Sequence, residues 1–360
     1  MIKVGVFISG GEKGGSRYQV MSLARGLKGK VETIFFTFFK GPLFYEIEES
    51  GFKNHFFESK LPFSSKVFKD VLKRVSEENL SLIHTYGVRG NFYGRRIARK
   101  LNIPVITSIT SFIREDYSSK IKGFIFEKID NTTIGIPKVV IVPSRALMRD
   151  VLRRNPALDV RVVPLGVEIP DGFFSKEEFF GKNDFVIGNI MRMERVKNPL
   201  FLIDVFKAVH LKEKRAKLMI VGDGSMRTLV EKRIEEYGLK DSVVITGFRK
   251  DAKRFYGVFD VFVSTSIREG FSVSVLEAMA SSLPVVVSDS GGVREMVEDG
   301  VNGFIIEDFD VEKFKERILL FKDKKLKEEF GKRNIIKVKE RFTVDKMCED
   351  TLKIYKEVIG

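Results

Sequence analysis

The fold of this chain is decided by residues 266–280, SIREGFSVSVLEAMA, in which two carboxylates, Glu269 and Glu277, stand eight positions apart. The preceding residues 260–264, DVFVS, are apolar and β-rich, and apolar residues recur at helical spacing from Val273 onward. The stretch therefore predicts a strand, a loop that carries Glu269, and a helix that carries Glu277.

The start of this helix is predicted to bind an anion. Backbone N–H groups near residues 270–273 have no partner within the helix, and the helix dipole adds partial positive charge there. A diphosphate would fit between the two carboxylates, and the carboxylates themselves suit sugar hydroxyls.

Composition excludes several classes of protein. The 360 residues are 43% hydrophobic and 31% charged, which predicts two ordinary globular domains, and no apolar run is long enough to span a bilayer. A buried-strand pattern from the first residue leaves no room for a signal peptide, so we expect a cytoplasmic protein. The one cysteine, Cys348, excludes an internal disulfide, and the three histidines lack metal-ligand spacing.

The net charge of +14 is concentrated in the first half of the chain. Residues 1–165 hold 28 Lys and Arg against 15 Asp and Glu, whereas residues 166–360 hold 35 against 34. Much of the excess falls on three predicted helices with basic faces: Lys66, Lys69, Lys73 and Arg74; Arg95, Arg96, Arg99 and Lys100; Arg145, Arg149, Arg153 and Arg154. Two interpretations stay open, namely a solvated helix surface or attraction to an anionic membrane surface or acceptor.

Two series of alternating strands and helices predict an α/β chain with two parallel sheets. The first series has strands at 2–8, 31–38, 81–85, 103–109 and 139–143, and helices at 16–28, 63–79, 90–101 and 145–154. The second has strands at 185–190, 217–221, 242–246, 259–264, 284–287 and 304–306, and helices at 198–211, 225–237, 249–256, 273–281 and 292–298. The connection VPLGVEIPDG at 163–172 suits a domain boundary, with a hinge near 166–183. Since open α/β sheets bind ligands at the carboxyl ends of their strands, a cleft between two facing lobes is the expected site.

The loops after strands carry the other candidate residues. A glycine-dense loop, SGGEKGGSR at 9–17, follows the first strand but lacks the spacing of a dinucleotide site or a P-loop. After the strand at 185–190, Arg192 and Lys197 stand five apart and could clamp a diphosphate, the alternative being plain surface charge. Gly222 lies in the tight turn VGDGS at 221–225.

Taken together, these motifs closely resemble the retaining glycosyltransferases of glycosyltransferase family 4, also called glycosyl transferases group 1. The resemblance covers nearly the whole chain and is clearest from about residue 139 onward, above all in LPVVVSDSGGVRE at 283–295 and DGVNG at 299–303. It implies the GT-B architecture of two Rossmann-like doubly wound domains that face each other across a cleft. The expected domains are 1–165, joined by a final helix at 343–360 that crosses back, and 166–342.

The resemblance also implies a role for each matching position. Arg192 and Lys197 would hold the donor diphosphate, Glu269 would meet the donor sugar as the catalytic residue, and Glu277 would bind the ribose hydroxyls. The other donor-binding positions are Gly14, Gly15, Gly222, Gly270, Phe271, Ser272 and Val273. The anomeric configuration would be retained by a front-face displacement that needs no protein nucleophile.

The chain departs from the family pattern on the acceptor or sugar side of the site. Thr110 stands where many members carry a histidine, and it cannot act as a base at neutral pH. His84 is therefore the other candidate on this side of the site, and it has either a structural role or a contact with the sugar. Ser272 stands where a third glycine is common.

No cofactor and no metal are expected. Asp308 and Asp310 imitate a metal-binding D-x-D, but their position after the last strand favours a helix-start loop.

The predicted function is sugar transfer from a UDP- or GDP-sugar to a glycan or lipid-linked acceptor, by a retaining hexosyltransferase-type enzyme of polysaccharide or glycolipid synthesis. It would work in the cytoplasm, with the basic first lobe at the inner membrane face. The alternatives are a sugar-nucleotide epimerase of similar shape and, from another class, a basic nucleic-acid-binding protein. No nucleic-acid-binding signature accompanies the charge, so no nucleic acid partner is predicted.

Overall fold

A computed structural model describes residues 1–12, 14–58, 63–117 and 119–360. The chain divides into two compact units. Unit 1 is Met1–Gly166 together with Val344–Gly360, and unit 2 is Val167–Thr343. These bounds differ by one residue from the domains expected from the sequence.

Unit 1 is built on a seven-stranded parallel sheet. Its strands are β1 (Ile2–Phe7), β2 (Val31–Thr37), β3 (Lys53–Phe56), β4 (Leu82–Tyr86), β5 (Val105–Ser108), β6 (Val139–Val142) and β7 (Val160–Val162). Their order is β3-β2-β1-β4-β5-β6-β7, so the direction of winding reverses between β1 and β4. The sheet is a Rossmann-like, doubly wound one.

In the described parts of the connections between these strands lie the helices α1 (Gly15–Gly26), α2 (Pro42–Glu49), α3 (Ser65–Glu77), α4 (Gly87–Leu101), α5 (Lys120–Asn131) and α6 (Arg145–Arg154). The helix α3 shows why the sequence folds this way. The Ser64 hydroxyl caps its start by accepting from Val67 N–H at 3.4 Å. Val67, Val71 and Val75 recur every four residues and are all buried, which anchors α3 on the sheet and leaves its lysines in solvent.

Two arginines of the predicted basic faces are internal, which corrects that part of the sequence analysis. Arg95 on α4 is fully buried, and its guanidinium lies 3.0 Å from the carboxylate of Asp130 on α5. Arg154 on α6 binds the other oxygen of the same carboxylate. The reason is packing, since α4, α5 and α6 meet at Asp130 and bury all three charges together. Arg99 and Arg149, by contrast, are exposed.

Unit 2 contains a six-stranded parallel sheet in the order β10-β9-β8-β11-β12-β13. Its strands are β8 (Phe185–Ile190), β9 (Ala216–Val221), β10 (Val243–Ile245), β11 (Val261–Ser264), β12 (Val285–Ser288) and β13 (Phe304–Ile306). Its helices are α7 (Pro199–Lys212), α8 (Arg227–Glu236), α9 (Val273–Ala280), α10 (Val311–Leu320) and α11 (Lys324–Arg341). This sheet is also Rossmann-like, so the predicted fold class of two α/β units is confirmed.

Two predicted helices of unit 2 prove to be short 3-10 turns. They are Ala252–Val258, predicted as a helix at 249–256, and Gly292–Glu295, predicted at 292–298. Gly257 packs against the backbone of Phe174, where an added Cβ would lie 2.7 Å from the carbonyl oxygen. This close approach leaves no room for a larger side chain at position 257.

The last helix, α12 (Val344–Ile359), belongs to unit 1. It packs on α1 at Gly26, where a Cβ would lie 2.5 Å from the Cys348 Sγ. Of the helices in the described ranges, none is both long enough and apolar enough to cross a bilayer.

Candidate active site

Loops at the carboxyl ends of three neighbouring strands of unit 2 carry the predicted site. They follow β8, β11 and β12, which lie side by side in the sheet. Ile267 N–H donates to the Val196 carbonyl at 2.8 Å, and the Thr265 hydroxyl donates to the Lys197 carbonyl at 3.1 Å. These bonds hold the loop after β8 against the loop after β11.

Lys197 and Glu269, which lie 72 positions apart in the sequence, form a direct ion pair. The Lys197 Nζ lies 2.6 Å from the Glu269 Oε2, and the two side chains are 18% and 12% exposed. Each charge therefore partly neutralises the other while both keep some access to solvent. An anionic ligand at this place would compete with Glu269 for Lys197.

The backbone of Glu269 is fixed by the loop that follows β12. Glu269 N–H donates to the Ser290 carbonyl at 2.9 Å, and Gly292 N–H donates to the Glu269 carbonyl at 3.1 Å. An added Cβ on Gly292 would lie 2.0 Å from the Gly270 carbonyl oxygen. A glycine at position 292 is thus required for the approach that positions Glu269.

The start of α9 offers free backbone donors, and they extend beyond the residues 270–273 at which the sequence predicted them. Within the described part of the chain, the N–H groups of residues 273–275 have no hydrogen-bond partner, and Leu276 is the first to donate, to the Ser272 carbonyl at 3.1 Å. The Ser272 hydroxyl lies 3.4 Å from the Glu269 Oε1. The Phe271 ring is buried against Phe342, so only its backbone can face a ligand.

Arg192 is an exposed cation on the loop after β8. Among the residues that the structure describes, none pairs with its guanidinium by a hydrogen bond or ion pair. It differs in this respect from Lys197 on the same loop. Arg192 is therefore available to bind an anion without first breaking another contact.

Glu277 lies on α9 and is nearly buried. Its Oε2 lies 3.1 Å from the Tyr256 hydroxyl, and its Oε1 lies 3.6 Å from the Lys253 Nζ. Burial raises the pKa of Glu277, and Lys253 and Tyr256 offset only part of that rise. Sequence reasoning missed Tyr256 and Lys253, because no spacing rule connects them with a residue 21 and 24 positions further on.

Gly222 has a structural reason to be glycine. Its φ is +140°, and a Cβ there would lie 1.9 Å from the Met191 carbonyl oxygen. The loop after β9 packs against the loop after β8 at this point. A contact between Gly222 and a ligand stays a prediction.

In unit 1, the predicted glycine loop and Thr110 are neighbours. Gly14 has a φ of +76° and precedes α1, which begins at Gly15. The Ser16 hydroxyl lies 2.9 Å from the Thr110 hydroxyl. The Glu12 carboxylate shapes the loop by accepting from Ser9 N–H at 3.0 Å and from Gly10 N–H at 2.7 Å. Lys13 of the quoted loop lies outside the described residues.

His84 does not reach a surface where it could contact a sugar, which corrects that candidate role. It is fully buried, with Nδ1 2.7 Å from the Tyr355 hydroxyl and Nε2 2.8 Å from the Ser108 hydroxyl. Burial lowers the pKa of His84 to about 3. The histidine is neutral at physiological pH and connects α12 with the sheet, which is the structural alternative.

Asp310 begins a helix, and this prediction is confirmed. Its carboxylate caps α10 by accepting from Glu312 N–H at 2.9 Å and from Lys313 N–H at 3.1 Å. The described residues contain no group of three or more His, Cys, Asp or Glu side chains placed to hold a metal ion. Metal independence stays a prediction.

Comparison with known proteins gives two family matches that follow each other along the chain. The family described as Glycosyltransferase Family 4 matches residues 13–169, and the family described as Glycosyl transferases group 1 matches residues 172–337. A poly(ribitol-phosphate) alpha-N-acetylglucosaminyltransferase of Staphylococcus aureus is 29% identical over 60% of this chain. This chain spans only 43% of that relative's length.

Two further relatives match along most of the chain. A UDP-Gal:alpha-D-GlcNAc-diphosphoundecaprenol alpha-1,3-galactosyltransferase of Escherichia coli is 24% identical over 80% of this chain and 78% of its own. The crystal structure of Anabaena HepE in complex with UDP and glucose superposes with a TM-score of 0.82, at 19% identity, over 99% of this chain and 100% of its own. At that identity the superposition establishes the fold alone.

Proposed function

We propose that this chain, which belongs to the glycosyl transferases group 1 and glycosyltransferase family 4, transfers a sugar from a nucleoside diphosphate sugar to a glycan or lipid-linked acceptor. The observation that carries the proposal is the Lys197–Glu269 ion pair, which lies next to the unpartnered N–H groups of α9. A cation, a carboxylate and a helix start at one sheet edge suit a ligand that joins a diphosphate to a sugar.

Each part of the site has a role in this proposal. Arg192 and the start of α9 bind the diphosphate, and Lys197 moves from Glu269 towards a phosphate oxygen. Glu269, released from that pair, accepts hydrogen bonds from hydroxyls of the donor sugar. Glu277 binds the ribose hydroxyls, held in place by Tyr256 and Lys253.

The reaction proceeds with retention of the anomeric configuration. The bond between the anomeric carbon and the phosphate oxygen breaks, and the acceptor hydroxyl oxygen bonds to the same carbon from the same face. The hydroxyl proton passes to the departing phosphate oxygen, so no protein nucleophile or base is required. The cations at Arg192 and Lys197 and the α9 dipole stabilise the charge that develops on the leaving group.

The donor is a UDP-sugar in this proposal. The names of two relatives support it, since one is a UDP-Gal-dependent galactosyltransferase and another was crystallised with UDP and glucose. The acceptor class, a cell-surface glycan or a lipid-linked sugar, is supported by the relatives named for poly(ribitol-phosphate) and a diphosphoundecaprenol. GDP-sugars remain the second candidate donors.

Family membership argues against the two alternative functions, a sugar-nucleotide epimerase and a nucleic-acid-binding protein. A sugar-nucleotide epimerase would share the shape without this combination of an Arg/Lys pair and two glutamates, and nucleic-acid binding is supported by charge alone. A salt-sensitive, sequence-independent DNA affinity without any effect of nucleotides would favour the nucleic-acid alternative.

The test is a screen of nucleotide sugars by thermal stabilisation, followed by transfer assays with the donor that stabilises best. Glu269→Ala should lower the transfer rate about a hundredfold or more. Because Lys197 loses its partner in this variant, affinity for the nucleotide should not fall. Glu307→Ala, which removes an exposed loop acid of unit 2, is the control and should transfer at the wild-type rate. Unchanged turnover in Glu269→Ala would contradict the proposal.

A further inference from the structure

The two faces of the unit 1 sheet differ sharply in charge. The helices α1, α2 and α12 lie on one face, where Arg17 of α1 binds Glu46 of α2 and α12 packs on α1. The helices α3, α4, α5 and α6 form the other face, as right-handed crossovers require. The four helices α3–α6 hold sixteen Lys and Arg against five Asp and Glu, whereas the other three hold five against seven.

This excess is at the surface. Only Arg95, Arg154 and Asp130 of these charges form the internal cluster, which leaves fourteen basic against four acidic side chains on the α3–α6 face. We call this face the basic face. A surface with that imbalance attracts anionic partners over a distance of several ångströms.

The outer side of α5 carries an apolar stripe within the basic face. Ile121, Phe124 and Ile125 are 73%, 47% and 49% exposed. They are spaced three and four residues apart, so they lie on one side of the helix. Isolated exposed apolar residues are ordinary, but three adjacent ones on one helix form a patch.

The inner side of α5 is firmly packed, so the outward direction of the stripe is fixed. The Phe126 ring stacks on the Tyr117 ring at a centroid distance of 4.6 Å. Gly123 packs against the Arg114 backbone, where a Cβ would lie 2.7 Å from the carbonyl oxygen. Asp130 is buried with its two arginines. The helix therefore cannot turn the stripe inward without losing these contacts.

Cations surround the stripe. The Lys128 Nζ and the Arg114 guanidinium lie 5.4 Å and 5.5 Å from the centre of the Phe124 ring. Lys120 and Lys122 are exposed on either side of Ile121. An amphipathic helix with apolar residues outward and lysines at its flanks suits the interface of an anionic bilayer, where the lysines meet headgroups and the apolar side chains reach the acyl boundary.

We propose that unit 1 docks on an anionic lipid bilayer through α5, with Ile121, Phe124 and Ile125 inserted at the headgroup level and the basic face towards the lipid phosphates. A soluble polyanion or a nucleic acid would satisfy the cations but would leave the three apolar side chains in water. A second copy of this chain would cover the stripe but would place two strongly basic faces together. This inference does not depend on the sugar-transfer activity proposed above.

The test is co-sedimentation of the full chain with vesicles of phosphatidylcholine containing about 30% phosphatidylglycerol, compared with phosphatidylcholine alone. Wild type should bind the anionic vesicles, more weakly at high salt, and should leave the neutral vesicles in the supernatant. Replacement of Ile121, Phe124 and Ile125 by serine should lower the partition coefficient at least about tenfold. The control replaces Leu211, Leu229 and Ile336, which are similarly exposed on unit 2, by serine and should bind like wild type.

Three results would overturn the proposal. One is equal binding of wild type and the α5 serine variant to the anionic vesicles, with melting temperatures confirming that both are folded. Another is binding by wild type to heparin but not to vesicles, which would assign the basic face to soluble polyanions. The third is a wild-type dimer that the α5 variant converts to a monomer while neither binds vesicles, which would make the stripe a contact between copies.

Discussion

Asp130 of unit 1 and the two glutamates of the unit 2 site, Glu269 and Glu277, differ in how completely the fold neutralises their charges. In unit 1, Asp130 contacts two arginines and accepts a further hydrogen bond from the Asn91 amide. In unit 2, Glu269 has one lysine, and Glu277 has one tyrosine and a lysine at 3.6 Å. The charge of Asp130 is thus more completely neutralised by its neighbours than that of Glu277, for which we propose a role in binding.

The pKa shifts of Asp130 and Glu277 have opposite signs. Burial acts to raise the pKa of Asp130, but Arg95 and Arg154 more than offset it, so the pKa falls. Burial also raises the pKa of Glu277, and there Lys253 and Tyr256 offset the rise only in part. A carboxylate whose charge is incompletely neutralised in the free protein is stabilised most by hydroxyl groups of a ligand that donate hydrogen bonds to it.

The largest effect is expected for Asp130→Asn in unit 1. The substitution keeps the shape of the side chain but leaves Arg95 and Arg154 buried beside a neutral group. The free energy of unfolding should fall by about 3–5 kcal/mol. Tyrosine fluorescence is a suitable probe for denaturant unfolding, because six of the eight tyrosines belong to unit 1.

The control for Asp130→Asn is Glu127→Gln on the same helix. Glu127 pairs with Arg114, whose side chain is 56% exposed. Its loss should cost less than about 1 kcal/mol. An equal decrease in the free energy of unfolding for both substitutions would contradict the predicted difference between the Asp130 cluster and the Glu127–Arg114 pair.

A second prediction concerns Glu78, another internally neutralised acid of unit 1. Burial acts to raise its pKa, but Lys53, His55 and Lys3 more than offset this, and the pKa falls from 4.5 to about 2. A lowered pKa stabilises the fold above pH 4.5, and the stabilisation is lost as the pH falls towards 2.

Glu78→Gln should therefore lower the free energy of unfolding by at most about 3 kcal/mol at neutral pH. Urea unfolding of both proteins at a series of pH values measures the difference, which should shrink steadily below pH 4.5. A difference that stays constant down to strongly acidic pH would show that packing, and not the charge of Glu78, is responsible.

The smallest effect on stability is expected for Glu277→Gln in unit 2. Because the pKa is raised, ionisation of Glu277 destabilises the folded state. The free energy of unfolding of wild type therefore falls as the pH rises from 4.5 through the raised pKa. The variant should unfold within about 1 kcal/mol of wild type at neutral pH. Its stability relative to wild type should increase with pH, and nucleotide affinity should fall. A large loss of stability would place Glu277 with the structural acids of unit 1.

The sequence predicted the elements of unit 2 better than those of unit 1. The bounds of β8 and β13 were predicted to the residue, since β13 is a continuous apolar run and β8 begins with three apolar residues at 185–187. The missed elements are α2, β3, α5 and β7. The strand β7 is short and has Arg161 at its centre, and α5 exposes Ile121, Phe124 and Ile125 instead of burying them, so neither has the pattern by which an element is recognised.

The candidate site shows the same limit of sequence reasoning. Glu269, Glu277, Arg192 and Lys197 could be found because each lies in a motif beside a strand end. The partners Tyr256 and Lys253 could not, since their contact with Glu277 depends on how the turn at residues 252–258 packs on α9. Arg95 was predicted on a basic helix face because the helix pattern gives the period of α4 but not the acid on α5 that binds it.

The central claim is that the loops of unit 2 form an anion site for a nucleoside diphosphate. The most direct measurement is calorimetric titration of UDP, and of GDP in parallel, into wild type, Arg192→Ala and Arg195→Ala. Arg195 is an exposed arginine three residues further along the same loop, so it controls for loss of charge. Wild type and Arg195→Ala should bind one nucleotide with similar affinity, and Arg192→Ala should bind it at least about tenfold more weakly. Equal affinity in all three proteins, or no binding of either nucleotide by wild type, would contradict the claim.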